Sequence, residues 1–171
     1  MRISMLLSYA GGFREAVREV QVLEKAGLDM VWVPEAYSFD APSAMGYLAA
    51  QTERVTIASG IVPIYTRTPT LLAMTAAGID YLSDGRCMLG LGASGPQVME
   101  GFHGVPYTAP VARIREIIEI CRMVWRREPV RHAGEHYQIP LPQDRGTGLG
   151  KPLKLINHPV REDIPIAVAA L

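Results

Sequence analysis

The chain has 171 residues, 49% of them hydrophobic, which is enough for one sizeable core. Lysine plus arginine and aspartate plus glutamate both number 17, so the formal net charge is zero and no nucleic-acid partner is expected. The four histidines (His103, His132, His136, His158) lack metal-ligand spacing, no apolar run reaches the roughly 18 residues of a membrane span, and no signal-peptide pattern opens the chain, so the expectation is a metal-free cytoplasmic protein that meets no membrane.

Residues 3–8 read as a first strand, closed by Tyr9, Ala10, Gly11 and Gly12. Phe13, Ala16, Val17, Val20, Leu23 and Ala26 then recur at helical spacing, with Gly27 as the cap. Residues 30–33 are a second apolar strand, left through Pro34 and Glu35; a helix follows near Pro42, with Asp40 as its cap. Residues 55–62, rich in β-branched side chains, are a third strand. It carries Ser59-Gly60 in its interior, which predicts a bulge or a close backbone approach. Thr68 and Pro69 start the next helix, whose apolar side is read as Leu71, Leu72, Met74, Thr75, Ile79 and Leu82.

Residues 85–104 are the stretch around which the rest is arranged. Asp84-Gly85 turns into the apolar run Cys87-Met88-Leu89, a fourth strand that dissolves into Gly90, Gly92, Ala93, Ser94, Gly95 and Pro96. Small residues at the end of a buried strand let a ligand approach the backbone, and parallel α/β proteins bind ligands at that end of the sheet. Gly90, Gly92 and Gly95 also match the dinucleotide pattern G-x-G-x-x-G. That reading needs a helix at the third glycine and an acidic residue about 20 positions on. Pro96 and the absence of a suitable second strand argue against it. Cys87 falls in the strand and Cys121 in the following helix, read over residues 112–125; both are expected to be buried, reduced thiols.

Strand and helix thus alternate four times across residues 1–126, the pattern of right-handed βαβ units on a parallel sheet. Residues 127–163 break it with a proline- and glycine-rich loop, in which residues 130–139 read as a short hairpin around Ala133-Gly134. Residues 164–171 begin a fifth strand. A complete (β/α)8 barrel needs roughly 200 residues or more. The expectation is an α/β chain supplying about the first half of a TIM-type (β/α)8 barrel. A self-contained five-stranded open sheet is the alternative.

The run Arg67-Thr68-Pro69, Leu82-Ser83-Asp84-Gly85-Arg86, Leu89-Gly90-Leu91-Gly92-Ala93-Ser94-Gly95 and Gly101-Phe102-His103-Gly104 resembles the bacterial luciferase-like monooxygenase superfamily, most of all its coenzyme F420 (deazaflavin) oxidoreductases. Glu24-Lys25-Ala26-Gly27-Leu28-Asp29, Thr52-Glu53-Arg54-Val55 and Gly134-Glu135-His136-Tyr137 support it. The resemblance implies hydride transfer between a deazaflavin (F420, favoured) or FMN and a small organic substrate. In a flavin branch, reaction with O2 would add monooxygenation. It implies a bulge with a non-prolyl cis peptide in strand three, matched by Ser59, Gly60 and Ile61, and a strand-four end, Ala93, Ser94 and Gly95, lining the ring. Glu35 and His103 are the implied catalytic candidates and Tyr9 the substrate candidate. Glu35 reads equally as a strand-end carboxylate capping a helix, and His103 as a structural turn residue. Full-length members are expected to form homodimers. A non-catalytic half-barrel that associates through its sheet edge is a second reading, and an NAD(P) enzyme a third.

Overall fold

The computed structural model describes residues 1–8 and 12–169. In chain order its strands are β1 (Ser4–Leu6), β2 (Met30–Val33), β3 (Thr56–Ser59), β4 (Val62–Pro63), β5 (Cys87–Gly92), β6 (His132–Ala133), β7 (Gln138–Ile139) and β8 (Ile166–Val168). Its helices are α1 (Phe13–Lys25), α2 (Ala41–Gln51), α3 (Pro69–Leu82), α4 (Pro96–Gly101) and α5 (Pro110–Trp125). β1, β2, β3 and β5 pair in parallel in that order; β8 pairs with β5 on its other edge, and β4 runs along β5 beyond the end of β3. β6 and β7 form an antiparallel hairpin.

The period-two alternation of strands sorts the side chains into two layers. Met5, Val31, Ile57 and Cys87 stand in one register row, and the last three are buried. Leu6, Trp32, Ala58 and Met88 form the adjacent row on the other face, where Leu6 is 63% exposed. One face of the sheet is therefore packed and the other is open at its β1 end.

Strand and helix starts are set locally. The Asp40 carboxylate accepts from Ser43 N at 3.1 Å ahead of α2, and the Thr68 hydroxyl accepts from Leu71 N at 3.3 Å ahead of α3, each with a proline in the first turn. The bottom of the sheet is tied by two charged side chains. Glu24, buried at the end of α1, accepts the backbone N–H groups of Glu53, Arg54 and Val55. The Arg86 guanidinium donates to the carbonyls of Ala49, Thr52, Val55 and Ser83 and to the Thr52 hydroxyl. Burial alone would push the Glu24 carboxyl up, but the three amide bonds, with the Arg86 charge beside them, hold it below its ordinary range.

Three details differ from the sequence reading. The third strand is not continuous over residues 55–62 but divides into β3 and β4. A helix does open directly after Gly95, because proline is well suited to the first helical position, so Pro96 starts α4 and does not break the chain there. And α3 is rotated from its expected face. It buries Leu72, Ala73, Ala76, Ala77, Ile79 and Asp80, while Leu71, Met74 and Leu82 are exposed. The alanine side lets α5 approach closely, and α5 supplies the bulk: fully buried Trp125 donates its indole N–H to the Ala73 carbonyl at 3.0 Å.

Residues 127–165 carry the hairpin and a 3-10 turn, Gln143–Arg145, and are tied to one another and to α3. Val130 N donates to the Leu153 carbonyl at 2.9 Å. Arg161 pairs with Asp80, which is fully buried on α3 and also accepts from Cys87 N at 3.1 Å.

Candidate functional site

The break between β3 and β4 builds the site. Ala58 pairs with Met88 and Val62 with Leu91, so three residues, 59–61, oppose two, 89–90. That is a bulge of one extra residue. The peptide bond joining Gly60 to Ile61 is cis. Ladder bonds lost at the bulge are replaced by Ser59: its hydroxyl accepts from Gly90 N at 2.8 Å and donates to the Gly90 carbonyl at 2.9 Å. Gly60 N donates to the Val33 carbonyl at 2.7 Å.

Two glycines are required here. A Cβ on Gly90 would stand 1.8 Å from the Ser59 carbonyl oxygen, an impossible contact with fixed backbone. A Cβ on Gly60 would lie 3.1 Å from the Trp32 Cβ. With both side chains missing, the backbone forms the floor of a cleft of about 260 Å3 lined by Leu6, Trp32, Gly60, Ile61, Gly90 and residues 167–169. Its walls are apolar and its floor is backbone. That suits the face of a flat ring, and the Gly60 side that a Cβ would fill is the side turned to Trp32.

The expected site residues do not all meet at this cleft. Gly60 and Ile61 line it. Ser59 does not: it is fully buried and its hydroxyl is spent on Gly90, where it holds the bulge together. Ala93, Ser94 and Gly95 follow the end of β5, where Ala93 packs on the core, Ser94 adopts the left-handed conformation (φ 59°) and Gly95 caps α4. Tyr9 lies outside the described residues.

Glu35 is fully engaged. Arg67 grips it through two bonds, Nη1 to Oε1 at 2.7 Å and Nη2 to Oε2 at 3.0 Å, and Oε2 also accepts from Ala41 N at 2.6 Å. It therefore starts α2 and anchors the loop after β4. His103 follows the end of α4, with its ring edge-on to Phe102 at 5.1 Å and its Nε2 buried without a hydrogen-bond partner among the described residues. Neither residue lines the cleft. Both cysteines are buried, and burial pushes each thiol up to about 12, with the Asp80 carboxylate adding to the effect at Cys87. Neither thiol is a nucleophile at neutral pH. Among the described residues no cluster of metal-ligating side chains occurs, and no helix is long and apolar enough to cross a membrane.

Trp32, Leu6 and residues 167–169 were missed as lining residues. Their signal was parity: Leu6 and Trp32 occupy the strand positions opposite the buried ones. Tyr37, 70% exposed, and Phe102, 66% exposed, were missed as well; their rings meet at 6.2 Å where the loops after β2 and β5 converge. The dinucleotide reading loses its basis here, since Gly90 is packed on Ser59 and a Cβ on Gly92 would strike Ile61 at 2.7 Å. These two glycines serve strand contacts, and the third of the pattern, Gly95, caps α4.

A family model described as luciferase-like monooxygenase matches residues 1–171. The chain belongs to this family. A Mycobacterium tuberculosis protein provisionally named as a coenzyme F420-dependent oxidoreductase is 44% identical over 173 residues, covering 99% of this chain and 50% of its own. Among solved structures, the coenzyme F420-dependent tetrahydromethanopterin reductase of Methanopyrus kandleri superposes with a TM-score of 0.81 at 20% identity, over 99% of this chain and 50% of that one. The oxygenating constituent of 3,6-diketocamphane monooxygenase from Pseudomonas putida, in complex with FMN, does so with a TM-score of 0.76 at 21% identity, over 98% and 51%. The parallel sheet with its helices is the fold of the luciferase-like TIM barrel, and the luciferase-like chain spans half or less of the length of the curated relatives it matches.

Proposed function

We propose that this luciferase-like chain carries the ring-binding part of an oxidoreductase that uses coenzyme F420, or less favourably FMN, to transfer a hydride to or from a small organic substrate. The observation that carries the reading is the glycine floor at the strand break, with Gly60 and Gly90 below and Trp32 and Ile61 as walls. The provisional name of the 44%-identical relative supports the deazaflavin over the flavin. Bound there, the cofactor supplies the hydride chemistry. The chain's own residues position and shield it: Gly60 and Ile61 hold one ring face, Trp32 walls it, and Ser94 and Gly95 approach from the end of β5. Glu35 acts as a positioning residue through Arg67 and the start of α2, and the exposed Tyr37–Phe102 pair offers an apolar rim to the substrate. Tyr9 and His103 are proposed for the substrate side.

A fluorescence titration with coenzyme F420, FMN and NADPH tests this. It is run on this chain and on a longer chain that supplies the relatives' remaining half. Tightest binding of coenzyme F420 by the longer chain is expected. If neither chain binds a deazaflavin or a flavin, the reading is overturned. If NADPH alone binds, the dinucleotide alternative returns.

A further inference from the structure

A second, larger cleft of about 830 Å3 lies between the starts of α3 and α5 and the β6–β7 hairpin, and the ring-binding reading leaves it unused. Small-molecule sites typically enclose roughly 300–1,000 Å3. Tyr65, Arg67, Arg113, His136, Tyr137 and Arg145 give it its polar character. The charges are unbalanced. Arg67 is neutralised by Glu35, but Arg113 and Arg145 enter no ion pair among the described residues, and the lining carboxylate is the exposed Glu135.

Arg113 is held without being neutralised. Its guanidinium carbon lies 5.8 Å from the Tyr65 ring centre and 5.6 Å from that of Tyr137, and its Nε donates to the Thr108 carbonyl at 3.0 Å. The Tyr65 hydroxyl donates to the same carbonyl at 2.8 Å. A guanidinium fixed between aromatic faces loses little freedom on meeting an anion, and its planar fork matches a carboxylate or phosphate. The opposite wall is equally fixed. Glu116 accepts from His136 N at 3.1 Å and Tyr137 N at 3.0 Å and bonds His132 Nε2 at 3.0 Å, locking the hairpin to α5. His136 Nε2 is buried with no hydrogen-bond partner among the described residues. Ile64, Val105, Ile139 and Leu141 add an apolar surface to the same cleft.

We infer that this cleft is a binding site for a small organic anion: a carboxylate or phosphate ester with a flat apolar body. The anionic group meets Arg113 and Arg145, and the body lies against the tyrosine rings and the aliphatic wall.

Calorimetric titration of the full chain with phenyl phosphate, benzoate, inorganic phosphate and benzyl alcohol tests it. One or both aromatic anions are expected to bind, and to do so at least about tenfold more tightly than inorganic phosphate or the neutral alcohol, with affinity falling as salt is raised. Which aromatic anion binds better distinguishes a phosphate ester from a carboxylate. Arg113→Gln is expected to weaken binding by about tenfold or more and Arg145→Ala by a few-fold, with melting temperatures near that of the parent. No binding of either aromatic anion at millimolar concentration, or binding that neither substitution changes, overturns the inference. Arg145 sits on an exposed turn, so its variant keeps the test decisive if Arg113→Gln does not fold. Gly60→Ala, which lies in the ring cleft and not in this one, should leave binding of the aromatic anions unchanged, so the two proposals fail separately.

Discussion

At the scale of single residues, Ser59 and Gly90 act as one unit. Ser59→Ala removes both partners of a buried backbone amide and carbonyl. Unsatisfied buried groups cost about 1–3 kcal/mol each, so a loss of roughly 2–4 kcal/mol in urea unfolding is expected. Gly90→Ala is worse, because the new methyl meets immovable backbone; it should yield little folded protein, whereas a near-parental melt would show that the bulge can open. Gly60→Ala is the contrasting case. Its methyl faces a side chain at 3.1 Å, which can give by a few tenths of an ångström, so the fold should survive while coenzyme F420 binding weakens by about tenfold or more, as expected where an aromatic ring must lie flat. The position of the bulge was legible, because a serine and a glycine interrupt a β-branched run. The direction of the serine was not. Its partner lies 31 residues away, and no local pattern says whether a hydroxyl serves a ligand or a neighbouring strand.

At the scale of elements, the stretches that carried the family resemblance turn out to hold one another. Glu24 at the end of α1 caps the backbone before β3, and Arg86 ahead of β5 gathers the carbonyls of the same corner. Because the folded-state Glu24 carboxyl is held below its ordinary value of 4.5, its stabilising contribution is complete above that pH and disappears as pH falls through the lowered folded value. Glu24→Gln should cost about 1–2 kcal/mol at neutral pH. It should also flatten the acid side of a melting-temperature profile; an unchanged acid slope would assign that slope to other carboxylates. Asp80 gives a parallel test. Asp80→Asn takes the counter-charge from Arg161, whose side chain is one-third exposed, and a loss of about 1.5–3 kcal/mol is expected. Helix and strand order was legible because caps and apolar runs are local signals. The orientation of α3 was not, since its large apolar and alanine sides compete, and the winner depends on the bulk that α5 brings.

At the scale of the whole molecule, rotation of α3 has an outward result. Leu71, Met74, Tyr81 and Leu82 stand exposed along it, between 45% and 65% each. We propose that the homodimer expected for this family forms over this stripe, since contiguous apolar patches on a soluble surface mark contacts between proteins. Met74→Glu should shift sedimentation of the longer chain from dimer to monomer, and an unshifted dimer would move the interface elsewhere. The (β/α) order and the partial coverage of a barrel were readable from strand spacing and length. The two clefts were not, since each is made by segments far apart in sequence.

The extra residue at the strand break also gives this protein something like a reading frame. Before it, the odd-numbered Ile57 shares a face with Cys87; after it, the even-numbered Val62 shares that face with Leu91. Deleting one residue between them would put the strand back in phase with Val62 still opposite Leu91 and Val62 and Ile64 on their buried face, but it would remove the bulge that forms the floor of the cleft. Substitution can tune what the strand presents at this point. A deletion the ladder can absorb would erase the bulge, so descendants of this sequence are free to vary the walls of the cleft but keep its floor only with the extra residue in place.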